Sequence, residues 1–193
     1  MTTEWAELAS QIRGCVACPE LAASRTHVVV GVPPTTTPLV LVGEAPGAAE
    51  DASGLPFVGR AGALLDELLQ NAGLRRDAVG VLNVLNCRPP GNRAPARTEV
   101  ANCRGWLDQQ IELVQAPVVV TLGGTAAAWA FGRAVKLADV RGRQHPFPGH
   151  PGRILVPTYH PSAALRFGPK GEPRRLLGED LAFAASLVSA NEP

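Results

Sequence analysis

Apolar residues follow two alternating rhythms along this chain. Largely apolar runs at 39–42, 79–85, 117–122 and 153–158 are short and rich in β-branched side chains. They predict strands buried on both faces, as in a parallel sheet. Between them the spacing changes to three and four: Trp5, Leu8 and Ile12; then Ala61, Leu64, Leu65, Leu68 and Leu69; then Cys103, Trp106, Leu107, Ile111 and Val114. Helices are therefore expected at 3–13, 59–72, from a Thr98 cap to about 114, at 123–131, and in a last stretch ending near 190. Gly73 stands where a left-handed stop belongs. A short strand at 28–30 precedes the loop Pro33-Pro34-Thr-Thr-Thr-Pro38. Strand–loop–helix units repeated in this way predict an α/β fold: a parallel four-stranded sheet flanked by helices in three layers, one domain over 1–193.

Composition narrows the classes. A length of 193 residues fits one domain on a prior of roughly 150 residues. The formal charge is +1, which excludes a polybasic arm as the main device. A nucleic-acid partner would have to be met by a local patch. The longest apolar run, from Ala126 to Phe131, is too short to span a bilayer. Met1-Thr-Thr-Glu-Trp5 has no basic region ahead of an apolar stretch. A cytoplasmic monomer with no membrane partner is expected.

Cys15 and Cys18 form a C-x2-C pair, and Cys87 and Cys103 complete a set of four. In a reducing compartment these stay thiols. A tight turn brings both sulfurs of C-x2-C to one side, and four thiolates suit zinc or a [4Fe–4S] cluster. The spacing does not choose between them. The plainer reading is four small buried apolar side chains.

Ligands of doubly wound sheets sit outside the carboxyl ends of the strands. Loops 43–57, 83–97, 123–125 and 159–174 should therefore converge, and they hold the residues with chemical potential. Glu44, in Gly43-Glu-Ala-Pro-Gly47, is a candidate general base, water-orienting group or acceptor for a ligand N–H; a lone loop carboxylate is otherwise simply solvated. Gly43 and Gly47 let the backbone approach a planar ligand, without forming a dinucleotide motif. Phe57 either stacks on a base, worth roughly 1–3 kcal/mol, or plugs the top of the core. Asn83, an amide inside an apolar strand, needs partners and offers the donor and acceptor that a pyrimidine edge requires. Its bland alternative is a bond to a neighbouring loop. His160 precedes Pro161, which holds it extended at the fourth strand end. His27, His145 and His150 are structural or solvated. Arg88, Arg93 and Arg97 in one loop, and Arg166, Lys170, Arg174 and Arg175 in another, suit phosphates if they are not merely solvated cations.

Together these stretches resemble a known family, the iron–sulfur (family-four) uracil-DNA glycosylases. The match is carried, in the family's order, by Cys15-Val-Ala-Cys18, Gly43-Glu-Ala-Pro-Gly47 with Glu50-Asp51, Gly54-Leu-Pro-Phe-Val-Gly-Arg-Ala-Gly62, Asn83, Cys87-Arg-Pro-Pro-Gly-Asn-Arg-Ala-Pro95, Cys103, Leu122-Gly123 and His160-Pro-Ser-Ala-Ala-Leu-Arg166. The resemblance implies that Cys15, Cys18, Cys87 and Cys103 hold a [4Fe–4S] cluster. It implies hydrolysis of the N-glycosidic bond of uracil in single- or double-stranded DNA. By position, Phe57 stacks on the everted uracil, Asn83 reads its polar edge, and His160 faces O2. Glu44 orients water or stabilises the sugar cation. Gly43, Ala45 and Gly47 line the base, and Glu50 stands where a thymine methyl must be rejected. Arg88, Arg93, Ser162, Leu165 and Arg166 meet the DNA, with Leu165 or Arg166 filling the gap in the stack. Asn86 departs from the lysine common before the third cysteine, so a phosphate contact is missing there. The basic insertion of the covalent uracil-binding branch is replaced by Pro89-Pro-Gly-Asn-Arg93, which favours turnover. Two rival classes are a non-catalytic iron–sulfur DNA-binding accessory domain and a zinc-stabilised hydrolase of free nucleotides.

Overall fold

A computed structural model describes residues 2–36 and 38–189. Its sheet runs in the order β2-β1-β3-β5-β4, with β1 Leu39–Gly43, β2 Gly80–Asn83, β3 Val118–Leu122, β4 His145–Pro146 and β5 Ile154–Thr158. The four longer strands are parallel neighbours. Side chains alternate across the pleat. Leu39, Leu41, Val118, Val120 and Leu122 thus pack with α4 (Arg60–Asn71), α8 (Pro161–Arg166) and α9 (Glu172–Ser189) on one face. Val40, Val42 and Val119 pack with α1 (Thr3–Arg13), α5 (Arg97–Val114) and α6 (Gly124–Phe131) on the other. The three-layer α/β class is as expected, and among the described residues no helix is long and apolar enough to cross a membrane.

Several details differ from the expectation. The sheet has five strands, because His145–Pro146 pairs antiparallel with Ile154 and Leu155. Two residues carry no period, and proline is tolerated there because the strand is an edge. Residues 28–30 form no strand; a single antiparallel bridge joins Val32 to Val81. Gly31 interrupts the run, because a Cβ there would lie 2.3 Å from Leu82 Cδ2, and Pro33 has no N–H to continue a ladder. Short helices α2 (Pro19–Ser24) and α7 (Leu137–Val140) also go beyond the expectation, the loop at 43–57 contains α3 (Ala48–Ser53), and the loop at 159–174 contains α8. α3 and α8 each span six residues, too few for a periodic signal. α5 begins after Ala96, not Thr98, since Glu99 Oε2 accepts the Ala96 N–H at 2.7 Å. The last helix reaches Ser189; the expected end near 190 lies outside the described residues.

The strand order places a topological switch point at β1, whose neighbours β2 and β3 are reached by connections running in opposite senses. The crevice at the carboxyl ends of β1 and β3 opens there. A buried network braces the rim: Asp180 of α9 accepts from Thr158 Oγ1 at 2.6 Å and from Arg141 through both its carboxylate oxygens. Arg141 also lies over the Tyr159 ring, 5.6 Å from its centroid.

Candidate active site

Four strand ends deliver the site. Glu44 follows β1, Asn83 ends β2, the start of α6 follows β3, and His160 follows β5. A cavity of about 360 Å³ lies between them, walled by Glu44, Gly47, Glu50, Phe57, Asn83 and His160. A larger groove of about 630 Å³ between α1 and α5 receives none of these loops.

Phe57 is built under strain. Its φ of +55° is in the left-handed region, a conformation costing of order 1–3 kcal/mol for a residue with a Cβ. Two features hold it. Glu50 accepts the N–H of Gly47 at 3.1 Å and of Gly59 at 2.8 Å, bracketing the loop. Gly62 of α4 lies so close that a Cβ would sit 1.8 Å from the Phe57 carbonyl oxygen. Asp51, also buried, accepts the N–H groups of Thr26 and His27 and ties α3 to the segment before β1. The Phe57 ring is itself buried and packs on the core, as the second of the two sequence readings expects, and it also lines the cavity.

Asn83 is 3% exposed, and among the described residues its Oδ1 has no hydrogen-bond partner; Asn86, Gln110 and Thr121 also hold buried unpartnered atoms, but of the four residues Asn83 is the one that lines this cavity. A buried amide oxygen left unpaired costs roughly 1–3 kcal/mol, an observation that points to a ligand completing the bond. Gly43 makes room for it: a Cβ there would lie 2.4 Å from Asn83 Oδ1 and 2.6 Å from Phe57 Cζ. Gly43→Ala is therefore expected to displace Asn83 and Phe57, checked by a lowered melting temperature together with loss of ligand binding in this cavity.

His160 caps α8. Its Nδ1 accepts the backbone N–H of Ser162 at 3.1 Å and lies 2.8 Å from Ser162 Oγ. A backbone N–H can only donate, so the neutral ring carries its proton on Nε2. Burial pushes the imidazole below the usual histidine range, against the opposing pull of Glu44 and Glu50. The ring stands 5.8 Å from Phe57, tilted by 36°. Ser162, expected among the DNA contacts, is exposed and lines the cavity, and its backbone N–H also fixes the tautomer of His160.

The cationic rims are smaller than the sequence indicates. Arg93 lines the cavity, but its guanidinium pairs with Glu99 at 2.7 Å and Glu20 at 3.2 Å, so its charge is already matched within the protein. Arg88 donates to Asn92 Oδ1. Arg174 pairs with Glu67, and Arg175 with Glu172 and Glu179. Arg166 is exposed at the cavity mouth, and Leu165 packs partly into the core.

The cysteines converge on a second, separate place. Cys15, Cys18, Cys87 and Cys103 line one small cavity with Leu21 and Leu85. Burial raises the Cys87 thiol and raises Cys103 to about 12, with the neighbouring sulfurs adding to the effect. Donors missed by sequence reasoning reach three of the sulfurs. Arg25 Nη1 donates to Cys87 Sγ at 3.1 Å, Asn86 Nδ2 to Cys103 Sγ and Asn102 Nδ2 to Cys18 Sγ, both at 3.6 Å. Arg25 Nη2 also holds the Cys15 carbonyl at 2.7 Å. Thr125, at the start of α6, is the other missed residue: it donates to Glu44 Oε2 at 2.5 Å. It follows Gly123-Gly124 at a strand end, where the strand-end rule alone would have found it.

Comparison with known proteins agrees with this geometry. The profile of the uracil DNA glycosylase superfamily matches residues 30–182. The chain is 44% identical over 182 residues to a type-4 uracil-DNA glycosylase of Thermotoga maritima, covering 94% of this chain and 93% of that protein. A type-4 enzyme of Sulfurisphaera tokodaii is 37% identical over 90% of this chain and 80% of its own. A type-5 enzyme of Mycobacterium leprae is 30% identical over 83% and 86%. Similarity of this extent, spanning every strand end that builds the cavity, makes the chain a member of the uracil DNA glycosylase superfamily.

Proposed function

We propose that this protein is a type-4 uracil-DNA glycosylase, releasing free uracil from DNA and leaving an abasic site. The observation that carries the reading is the orphaned, buried Oδ1 of Asn83 beside Phe57 and His160. Uracil presents an N3–H donor next to the O4 acceptor, and a carboxamide matches that edge with its own oxygen and N–H. Everting the base costs a few kcal/mol in lost pairing and stacking. Contact with Phe57, the Asn83 bonds and phosphate contacts to Arg166 and Arg88 offset it. Cleavage of the C1′–N1 bond then leaves an oxocarbenium-like sugar and a uracil anion with charge on O2. The Nε2–H of a neutral His160 donates to that oxygen more strongly as the charge grows, so it stabilises the transition state above the ground state. Glu44 orients the incoming water or faces the sugar cation. Glu50, held rigid by two backbone N–H groups, forms the wall that excludes a C5 methyl. A DNA-binding accessory role would require neither an unpaired amide nor a tautomer-fixed imidazole at the sheet's mouth.

The second cavity fits a [4Fe–4S] cluster held by Cys15, Cys18, Cys87 and Cys103. Four cysteine sulfurs line that one cavity, the donor set such a cluster takes, and N–H···S bonds of the kind made by Arg25, Asn86 and Asn102 are the usual means of tuning one. When bound, the cluster supplies a covalent cross-link between the turn after α1, the loop after β2 and α5. Arg25→Met is expected to fold but to lose the cluster's visible absorbance faster in air than the parent protein; equal decay rates would show that Arg25 does not protect it.

The test of function is direct. Purified protein, incubated with single-stranded and duplex oligonucleotides carrying one uracil, should release free base and leave an alkali-labile site. Oligomers left intact at every pH tried would overturn the reading.

A further inference from the structure

Glu44 is held by a residue from outside its own loop. The hydroxyl of Thr125 donates to Glu44 Oε2 at 2.5 Å, across 81 positions of sequence. The bond bridges the switch-point crevice, since Glu44 follows β1 and Thr125 follows β3, and those strands pair with Val42 opposite Thr121. The turn that delivers Thr125 is shaped for the task. Gly123 has φ +93°, and its N–H donates to the Thr158 carbonyl at 2.8 Å. A Cβ at Gly123 would lie 3.1 Å from His160 Cβ. The same short turn therefore touches both side chains assigned to bond cleavage.

A threonine hydroxyl has one proton to give, and an ionised carboxylate only accepts. With Oε2 engaged, the carboxylate cannot spin freely, and Oε1 is the oxygen left for a water or the sugar. Fixing one oxygen of a reacting group matters because misplacement of about 1 Å can cost about 100-fold in rate.

We propose that Thr125 is a positioning residue that presents Glu44 to the reacting centre. The proposal rests on the role given to Glu44 above. It assigns the start of α6, which supplies no motif residue, to the catalytic geometry.

Thr125→Val keeps the shape and removes the donor. It is expected to lower kcat about tenfold, the scale of one hydrogen bond to a charged group, with the melting temperature and KM for a uracil oligonucleotide unchanged. Thr125→Ser restores the donor and should return kcat to within about twofold of the parent. In a Glu44→Ala background, Thr125→Val should change nothing further, because the two residues act as a unit. Parent-like kcat in Thr125→Val, an equal loss in both backgrounds, or a serine variant no better than valine would each overturn the proposal. An inert parent protein would overturn the functional reading and this proposal with it, whereas an active parent with an equally active Thr125→Val overturns the proposal alone.

Discussion

Replacing His160 by alanine is expected to lower kcat on a uracil oligonucleotide by about 100- to 1,000-fold, the range for losing one donor aimed at developing negative charge. KM should move little, because Phe57, Asn83 and the DNA contacts still bind the ground state. The physical cause is the fixed tautomer. Ser162 N–H occupies Nδ1, leaving Nε2–H as the donor on a ring that lines the cavity. Burial lowers the imidazole's proton affinity, so it stays neutral across the physiological range. The sign for stability follows. The folded-state pKa lies below the unfolded value of about 6.5, so the unfolded chain takes up the proton first. The contribution is fully present above about pH 6.5 and is lost as pH falls toward the folded value. Urea midpoints measured between pH 8 and pH 5 should therefore fall further for the parent than for His160→Ala. Parallel pH profiles for the two proteins, or a variant with parent-like kcat, would remove His160 from this role.

Arg141→Ala should strongly destabilise the fold. Asp180 is 2% exposed and accepts from Thr158 and Arg141; removing the guanidinium leaves a carboxylate buried without a countercharge. Breaking a buried pair in this way costs about 3–5 kcal/mol. For a chain of this length that corresponds to roughly 6–20 °C in melting temperature. Asp180→Asn should cost clearly less, because it keeps an acceptor for Thr158 and leaves behind an arginine that is partly solvent-exposed. Burial raises the Asp180 carboxyl against the opposing bonds from Thr158 and Arg141. A folded pKa above the unfolded one favours the native state at low pH and loses that contribution as pH rises through the folded value. The Arg141→Ala penalty should accordingly shrink on acidification, as Asp180 takes up a proton. Thermal unfolding of both variants at pH 5 and pH 8 checks the order and the sign.

Much of the site was legible one residue at a time. Asn83 is visible as an amide out of place in an apolar strand, His160 as a ring fixed before proline, and the four cysteines as a set with none left over. A cation or hydroxyl shows its chemistry in the sequence, but not its partner. Arg93 looks like a phosphate contact until Glu99 and Glu20 appear beside it, 6 and 73 positions away. Ser162 shows only a hydroxyl in the sequence, and that its N–H fixes the tautomer of His160 appears only in the fold. α2, α3, α7, α8 and β4 are not visible in the sequence because elements of six residues or fewer contain too little periodicity to separate from a loop.

By itself, the sequence determined the layers of this protein, the strand ends that carry its chemistry and the four thiols, because burial period and residue type are local properties of the chain. Tertiary structure alone decided which oxygen of Glu44 is held, which nitrogen of His160 keeps its proton, which arginines are already paired with carboxylates and that Phe57 sits at positive φ. Each of these depends on a hydrogen bond or close approach that exists only once strands far apart in sequence lie side by side.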